Sequence, residues 1–146
     1  MPKKSFYIDT CIYLNLWQKE GNKKFGIPYW KLAEDFFEKF DNEDTIFYYS
    51  GFVLRELTFK LTKGDFEKKK ALFESSPNFK KTRLSPEEFN SARRIERELN
   101  YKYGFFDIIH MLLALKTKSI LVTRDNNLIE LAKRYKVIVK RPEEIL

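Results

Sequence analysis

Apolar positions along the chain alternate between short continuous runs and stripes of helical period. Residues 5–8 read as a short buried strand, after which Asp9-Thr10 opens a helix that runs to about Glu20. Residues 21–28, Gly-Asn-Lys-Lys-Phe-Gly-Ile-Pro, read as a loop, closed by a proline suited to a helix start. Over 29–40 the residues Trp30, Ala33, Phe36, Phe37 and Phe40 share one helix face, and the polar stretch 41–44 ends it. Residues 45–49, β-branched and aromatic, form the second predicted strand, followed by Ser50 as a helix cap. The stripe in that helix is Val53, Leu54, Leu57 and Leu61, with Gly64 dividing it from a further helix over 65–74. An edge strand is predicted within 79–84. Ser85-Pro86-Glu87-Glu88 then carries the cap, proline and acid of a helix start, and that helix runs to about Tyr101. An apolar helix spans Phe105 to Lys116, a strand 119–123, a helix 126–135 and a last strand 137–139. Arg141-Pro142-Glu143-Glu144 opens a short terminal helix.

Strands and helices alternate throughout, with no repeat or low-complexity tract. This predicts a three-layer α/β/α sandwich around a mainly parallel, five-stranded sheet, in one domain over 1–146. Ligands of such sheets sit beyond the carboxyl ends of the strands, where strand order reverses. Asp9 and Asp125 each follow a strand directly, and Glu56 lies in the first turns of the helix after another. These acids are therefore expected at one edge, joined by Asp107, early in the apolar helix Phe105-Phe106-Asp107-Ile108-Ile109.

Clustered carboxylates repel unless a cation neutralises them. Magnesium takes oxygen ligands at about 2.0–2.1 Å and keeps several waters, so a few acids from separate elements suffice. Two such ions about 3.5–4 Å apart, or one with a second recruited beside substrate, can hydrolyse a phosphodiester. Each acid also has an ordinary structural role: Asp9 and Asp125 as helix caps, Asp107 at a helix dipole, Glu56 paired with Arg55 or Lys60. Singly those roles are the commoner; it is the ordered set that points to a metal site.

Lys+Arg number 28 against 21 Asp+Glu, a net charge of +7, which favours an anionic partner without saying which sequence it carries. Candidate phosphate contacts are Arg93, Arg94 and Arg97, grouped by helical spacing, and Arg124 beside Asp125. Lys68-Lys69-Lys70 reads more readily as a solvated face. Tyr101 and Tyr103 could stack on unpaired bases, although core packing is the commoner fate of such rings. Thr123 can hydrogen-bond a ligand carboxylate, Asn126 can do likewise or cap the next helix, and Asn15, one turn after Cys11, can line the acidic edge.

His110 is the sole histidine, one helical turn from Asp107, and reads as a structural residue rather than a ligand or base. Cys11, the sole cysteine, has no sequence neighbour to make it a nucleophile, and it excludes both an intrachain disulfide and a thiolate zinc cluster. Neither a signal-peptide core nor a membrane-spanning run is present, so a reducing cytoplasm, away from any membrane, is the expected compartment.

The order Tyr7-Ile8-Asp9-Thr10, Val53-Leu54-Arg55-Glu56-Leu57, Phe106-Asp107-Ile108-Ile109-His110 and Leu121-Val122-Thr123-Arg124-Asp125 resembles a PIN-domain nuclease across nearly the whole chain. The resemblance implies a sheet of order 3-2-1-4-5 and a Mg²⁺- or Mn²⁺-dependent ribonuclease. Its metal-binding, catalytic residues would be Asp9, Glu56, Asp107 and Asp125. At this size the chain looks most like the VapC-like toxin of a toxin–antitoxin pair, which implies a homodimer blocked by a small antitoxin. Cys11 departs from the small polar residue often found two positions after the first aspartate. Two other readings stay open: a non-catalytic RNA-binding or assembly module with this fold, and a PIN nuclease of RNA processing without an antitoxin. A phosphoacceptor receiver fails because Asp9-Thr10-Cys11 lacks the additional acid pair it needs after the first strand, and an Asp-x-Asp phosphohydrolase fails because position 11 is Cys.

Overall fold

A computed structural model of the chain describes residues 4–19, 23–24 and 26–146. Phe6, Tyr7 and Ile8 are wholly buried on consecutive positions of β1 (Lys4–Ile8), so this strand is covered on both faces. The elements that follow are α1 (Thr10–Gln18), a two-residue pair β2 (Lys23–Lys24) and β3 (Ile27–Pro28), α2 (Tyr29–Lys39), β4 (Thr45–Tyr49) and α3 (Gly51–Lys60). Next come α4 (Lys63–Ser75), β5 (Phe79–Lys81), α5 (Pro86–Glu98) and α6 (Phe105–Lys116). The chain ends with β6 (Ile120–Val122), α7 (Asn126–Arg134), β7 (Val139–Lys140) and a 3₁₀ turn, Pro142–Glu144.

The main sheet has the order β5-β4-β1-β6-β7, with every pair parallel. Leaving out the small β2–β3 pair, this is the predicted 3-2-1-4-5. From β1 the chain builds outward through β4 and β5, then returns to β6 on the other side. The order therefore reverses next to β1, and the carboxyl ends of β1 and β6 flank the crevice this creates. Helices flank the sheet, giving the α/β/α architecture.

The core is aromatic. Phe36 of α2 meets Phe6 edge-on at 5.1 Å, and Phe40 and Phe47 complete the cluster. Tyr13, Trp17, Phe73 and Tyr49 form a neighbouring group. Rings of this size fix the spacing between sheet and helices, and so fix where the strand ends lie.

Several boundaries differ from the sequence-based ones. Gly64 lies inside α4 rather than before it, because Thr62 caps that helix by accepting from the Asp65 amide at 3.2 Å. The α5 helix stops at Glu98, where Asn100 and Tyr101 take left-handed φ of 54° and 59°. The last strand is shifted to Val139–Lys140, in register with Leu121 and Val122. Part of the predicted loop pairs as β2 and β3. The predicted helix end at Glu20 and the loop residues Gly21, Asn22 and Phe25 lie outside the described residues. Among the described residues no helix is long and apolar enough to cross a membrane.

Candidate functional site

Asp9 sits where β1 hands over to α1. Its extended backbone makes it the N-cap, and its Oδ1 accepts from the Thr10 amide at 2.8 Å. Its Oδ2 accepts from the Thr123 hydroxyl at 2.7 Å and from the Cys11 thiol at 3.4 Å. Thr123, wholly buried at the end of β6, also accepts from the Asp125 amide at 3.0 Å. One hydroxyl thus ties the two strand-end aspartates together across the switch point. Burial raises the Asp9 carboxyl above its usual range, with Glu56 adding to the effect, while His110 and Thr123 oppose it. Burial, with Asp9 next to it, likewise pushes the Cys11 thiol well up, so it is a hydrogen-bond donor here rather than a thiolate.

Glu56 comes from the second turn of α3, whose start is fixed by Ser50 accepting from the Val53 amide at 3.3 Å. Its Oε1 accepts from the Thr10 hydroxyl at 2.9 Å and lies 2.6 Å from His110 Nε2. His110 Nε2 is also 3.9 Å from Asp9 Oδ1. The ring is fully buried, and its Nδ1 is 2.7 Å from the Tyr7 hydroxyl, itself 2.7 Å from Ser50 Oγ. Burial works against the charged imidazole, but the Glu56 bond and the nearby aspartates outweigh it and raise the His110 pKa.

Asp107 lies in the first turn of α6, and Asp125 caps α7 by accepting from the Asn127 and Leu128 amides on Oδ1. Asp9, Glu56, Asp107 and Asp125, from four different elements, all line one depression of about 240 Å³, bordered by Thr10, Cys11, Leu14, Phe59 and Lys60. Asp107 is pushed up to about 7 by partial burial first, then by Asp125 and Asp9. Four carboxylates line the depression, of which Asp9 and Glu56, with His110, bring donor atoms within 4.8 Å of one another, and Asp9 and Asp107 are driven toward protonation by burial and crowding. A divalent cation relieves both conditions, and the oxygen donors suit a hard one.

The remaining candidates divide. Asn15 is buried on α1 and Asn126, exposed, accepts from Arg141 at 3.0 Å; neither borders the depression. Arg93 lies over the Phe105 ring at 3.6 Å and pairs with Glu96 at 3.1 Å, Arg94 faces Ser91 and Glu98, and Arg97 is exposed on the same helix. Arg124 requires correction as a phosphate contact. Its guanidinium makes a two-pronged bond to Glu143 at 2.7 and 3.0 Å, rests on Tyr29, and is only 9% exposed. Tyr103 is buried in the core, whereas Tyr101 is exposed. Sequence reasoning missed the role of Tyr7, Ser50 and Thr10 around Glu56, and it missed Phe59, 70% exposed at the rim. An apolar ring three residues after Glu56, on its face of α3, was the available signal for the last.

A family model described as the PIN domain matches residues 6–134. The chain belongs to the PIN-domain family. Among solved structures, this PIN domain is similar to VapBC2 from Rickettsia felis bound to a DNA fragment from their promoter, with TM-score 0.65 and 16% identity over 94% of this chain and 98% of that one. It is also similar to FitAcB from Neisseria gonorrhoeae, with TM-score 0.60 and 13% identity over the same shares. At such identities the likeness is one of fold. No curated protein matches the chain.

Proposed function

We propose that this PIN domain is a divalent-cation-dependent ribonuclease, one domain over 1–146, acting in the cytoplasm as the toxin of a toxin–antitoxin pair. The observation that carries the reading is the convergence of Asp9, Glu56, Asp107 and Asp125 on one depression at the strand ends of a PIN fold. Mg²⁺ or Mn²⁺ would be held by these four acids. Lewis-acid polarisation of the phosphodiester and activation of the attacking water are what such an ion contributes when bound. The chain's own residues do the rest. Thr123 and Thr10 fix the Asp9 and Glu56 carboxylates by hydrogen bonds to single oxygens. Exposed Lys60 offers a charge to backbone phosphate, and exposed Phe59 offers a ring on which an unpaired base can stack, which favours single-stranded RNA. The toxin assignment, with a small antitoxin covering the site and a homodimer as the working form, is supported by the size of this single PIN domain, which resembles that of VapC-like toxins, and by the fold shared with VapBC2.

The test is cleavage of a structured RNA pool by purified protein with Mg²⁺, Mn²⁺ or EDTA, alongside Asp9→Asn. Cation-dependent cutting, lost in the variant, is expected. RNA binding without cutting under any cation would replace the nuclease with a binding module. Co-expression with the product of an adjacent small gene should silence cutting; activity that persists would favour a processing nuclease without an antitoxin.

A further inference from the structure

We infer that His110 is a positioning residue for Glu56, held by a buried hydrogen-bond chain that begins at Ser50 and passes through Tyr7. The inference rests on the reading of Glu56 as a cation ligand. Three elements contribute: Ser50 and Glu56 bracket the first turns of α3, Tyr7 stands in the central strand β1, and His110 lies on α6. The contacts are short throughout, 2.7 Å from Ser50 to Tyr7, 2.7 Å from Tyr7 to His110 Nδ1, and 2.6 Å from His110 Nε2 to Glu56 Oε1.

The direction of the chain follows from what each group can do. A carboxylate only accepts, so Nε2 carries a hydrogen toward Glu56 whether the ring is neutral or cationic. With a neutral ring, Nδ1 accepts from the Tyr7 hydroxyl, which accepts from Ser50. With a cationic ring those two bonds reverse and the Nε2–H bond stands. The hold on Glu56 is therefore independent of the ring's charge. Both donors that reach Glu56, Thr10 and His110, land on Oε1, leaving Oε2 without a hydrogen-bond partner among the described residues and turned to other work.

The competing role is that of direct ligand, since Asp9, Glu56 and His110 can bring donor atoms within 4.8 Å of one another. A ligand nitrogen must present a lone pair to the ion. Here Nε2 spends its position on a hydrogen to Glu56, and Nδ1 faces Tyr7 deep in the core. His110 orients the carboxylate, and the carboxylate meets the cation.

His110 is the sole histidine of the chain, so untagged protein labelled with ¹⁵N-histidine gives one imidazole signal set. Long-range ¹H–¹⁵N spectra should show Nε2 protonated before and after Mg²⁺ is added. Calorimetric titration with Mn²⁺ should show about 10–100-fold weaker binding for His110→Ala, the scale found when a hydrogen-bond partner of a metal ligand is removed. His110→Gln, which restores a donor, should recover part of the loss. Tyr7→Phe keeps the ring and should weaken Mn²⁺ binding more than threefold; it carries the test if His110→Ala does not fold. Loss of the Nε2 hydrogen on adding Mg²⁺ would overturn the inference in favour of a direct ligand. Binding within threefold of wild type in folded His110→Ala and in Tyr7→Phe, with binding lost in Asp9→Asn, would overturn it while leaving the metal site standing. A wild-type protein that takes up no Mn²⁺ would overturn the metal reading itself, and the role of Glu56 with it.

Discussion

Replacing Asp107 with asparagine should stabilise the cation-free protein at alkaline pH and do nothing for it in acid. The carboxyl titrates at about 7 instead of 3.8, because it is partly buried and faces Asp125 and Asp9. A displacement of that size corresponds to about 4 kcal/mol against the ionised form. The side chain is only partly buried, so solvent screening reduces this to about 2 kcal/mol. The sign follows from proton binding. Between pH 3.8 and about 7 the folded protein holds the Asp107 proton more tightly than the unfolded chain. Its contribution to stability therefore falls as pH rises through that window and levels off above it. Asparagine never ionises and escapes the penalty. For a chain of this length, about 2 kcal/mol is about 4–8 °C in melting temperature. Thermal unfolding followed by circular dichroism in EDTA should give equal midpoints near pH 4 and a higher midpoint for Asp107→Asn at pH 8.5. Saturating Mg²⁺ should close the gap by stabilising the wild type alone. A difference that is the same at both pH values, or a less stable variant at pH 8.5, would refute the argument.

Three further outcomes are expected. Glu143→Ala strands the guanidinium of Arg124, whose pair is about nine-tenths buried, and should lower the unfolding free energy in urea by about 3 kcal/mol. Although burial opposes it, the Arg124 bond holds the Glu143 pKa below its usual range, so the pair's contribution is present above the ordinary glutamate range and fades as pH falls below it. Phe36→Ala opens a hole between Phe6, Phe40 and Phe47 and should destabilise by about 3–5 kcal/mol in the same assay. Phe59→Ala should weaken single-stranded RNA binding at least about fivefold, near the lower bound for stacking one base, while duplex binding stays unchanged by fluorescence anisotropy.

The main sheet was legible because its central strands advertise themselves locally: Ser5 to Ile8 and Thr45 to Tyr49 are apolar runs closed by Asp9 and Ser50, both of which cap the helices that follow. The positions of the four acids along one sheet edge were legible for the same reason, since strand ends and the opening two turns of helices are places that a linear pattern can assign. What escaped is set by tertiary contact. His110 was placed near Asp107 by helical spacing, yet its partners, Tyr7 and Glu56, come from 103 and 54 residues away. Arg124 looked like a surface charge because Glu143, its partner 19 residues on, arrives only when the terminal 3₁₀ turn folds back. Gly64 misled because intrinsic helix propensity yielded to the cap at Thr62.

Asp125 reveals how easily this architecture could outlive its chemistry. Its Oδ1 alone receives the two amide bonds that start α7. An amide oxygen serves that purpose as well as a carboxylate does. One substitution, Asp125→Asn, would therefore delete a negative charge from the depression while the helix start, the strand order and the aromatic core persist. Such a variant would keep the frame that brings the side chains of the depression together and alter only the charge within it. At this position the helix start and the charge are separable by the exchange of one oxygen for an amide nitrogen, so the fold places no demand of its own on the carboxylate.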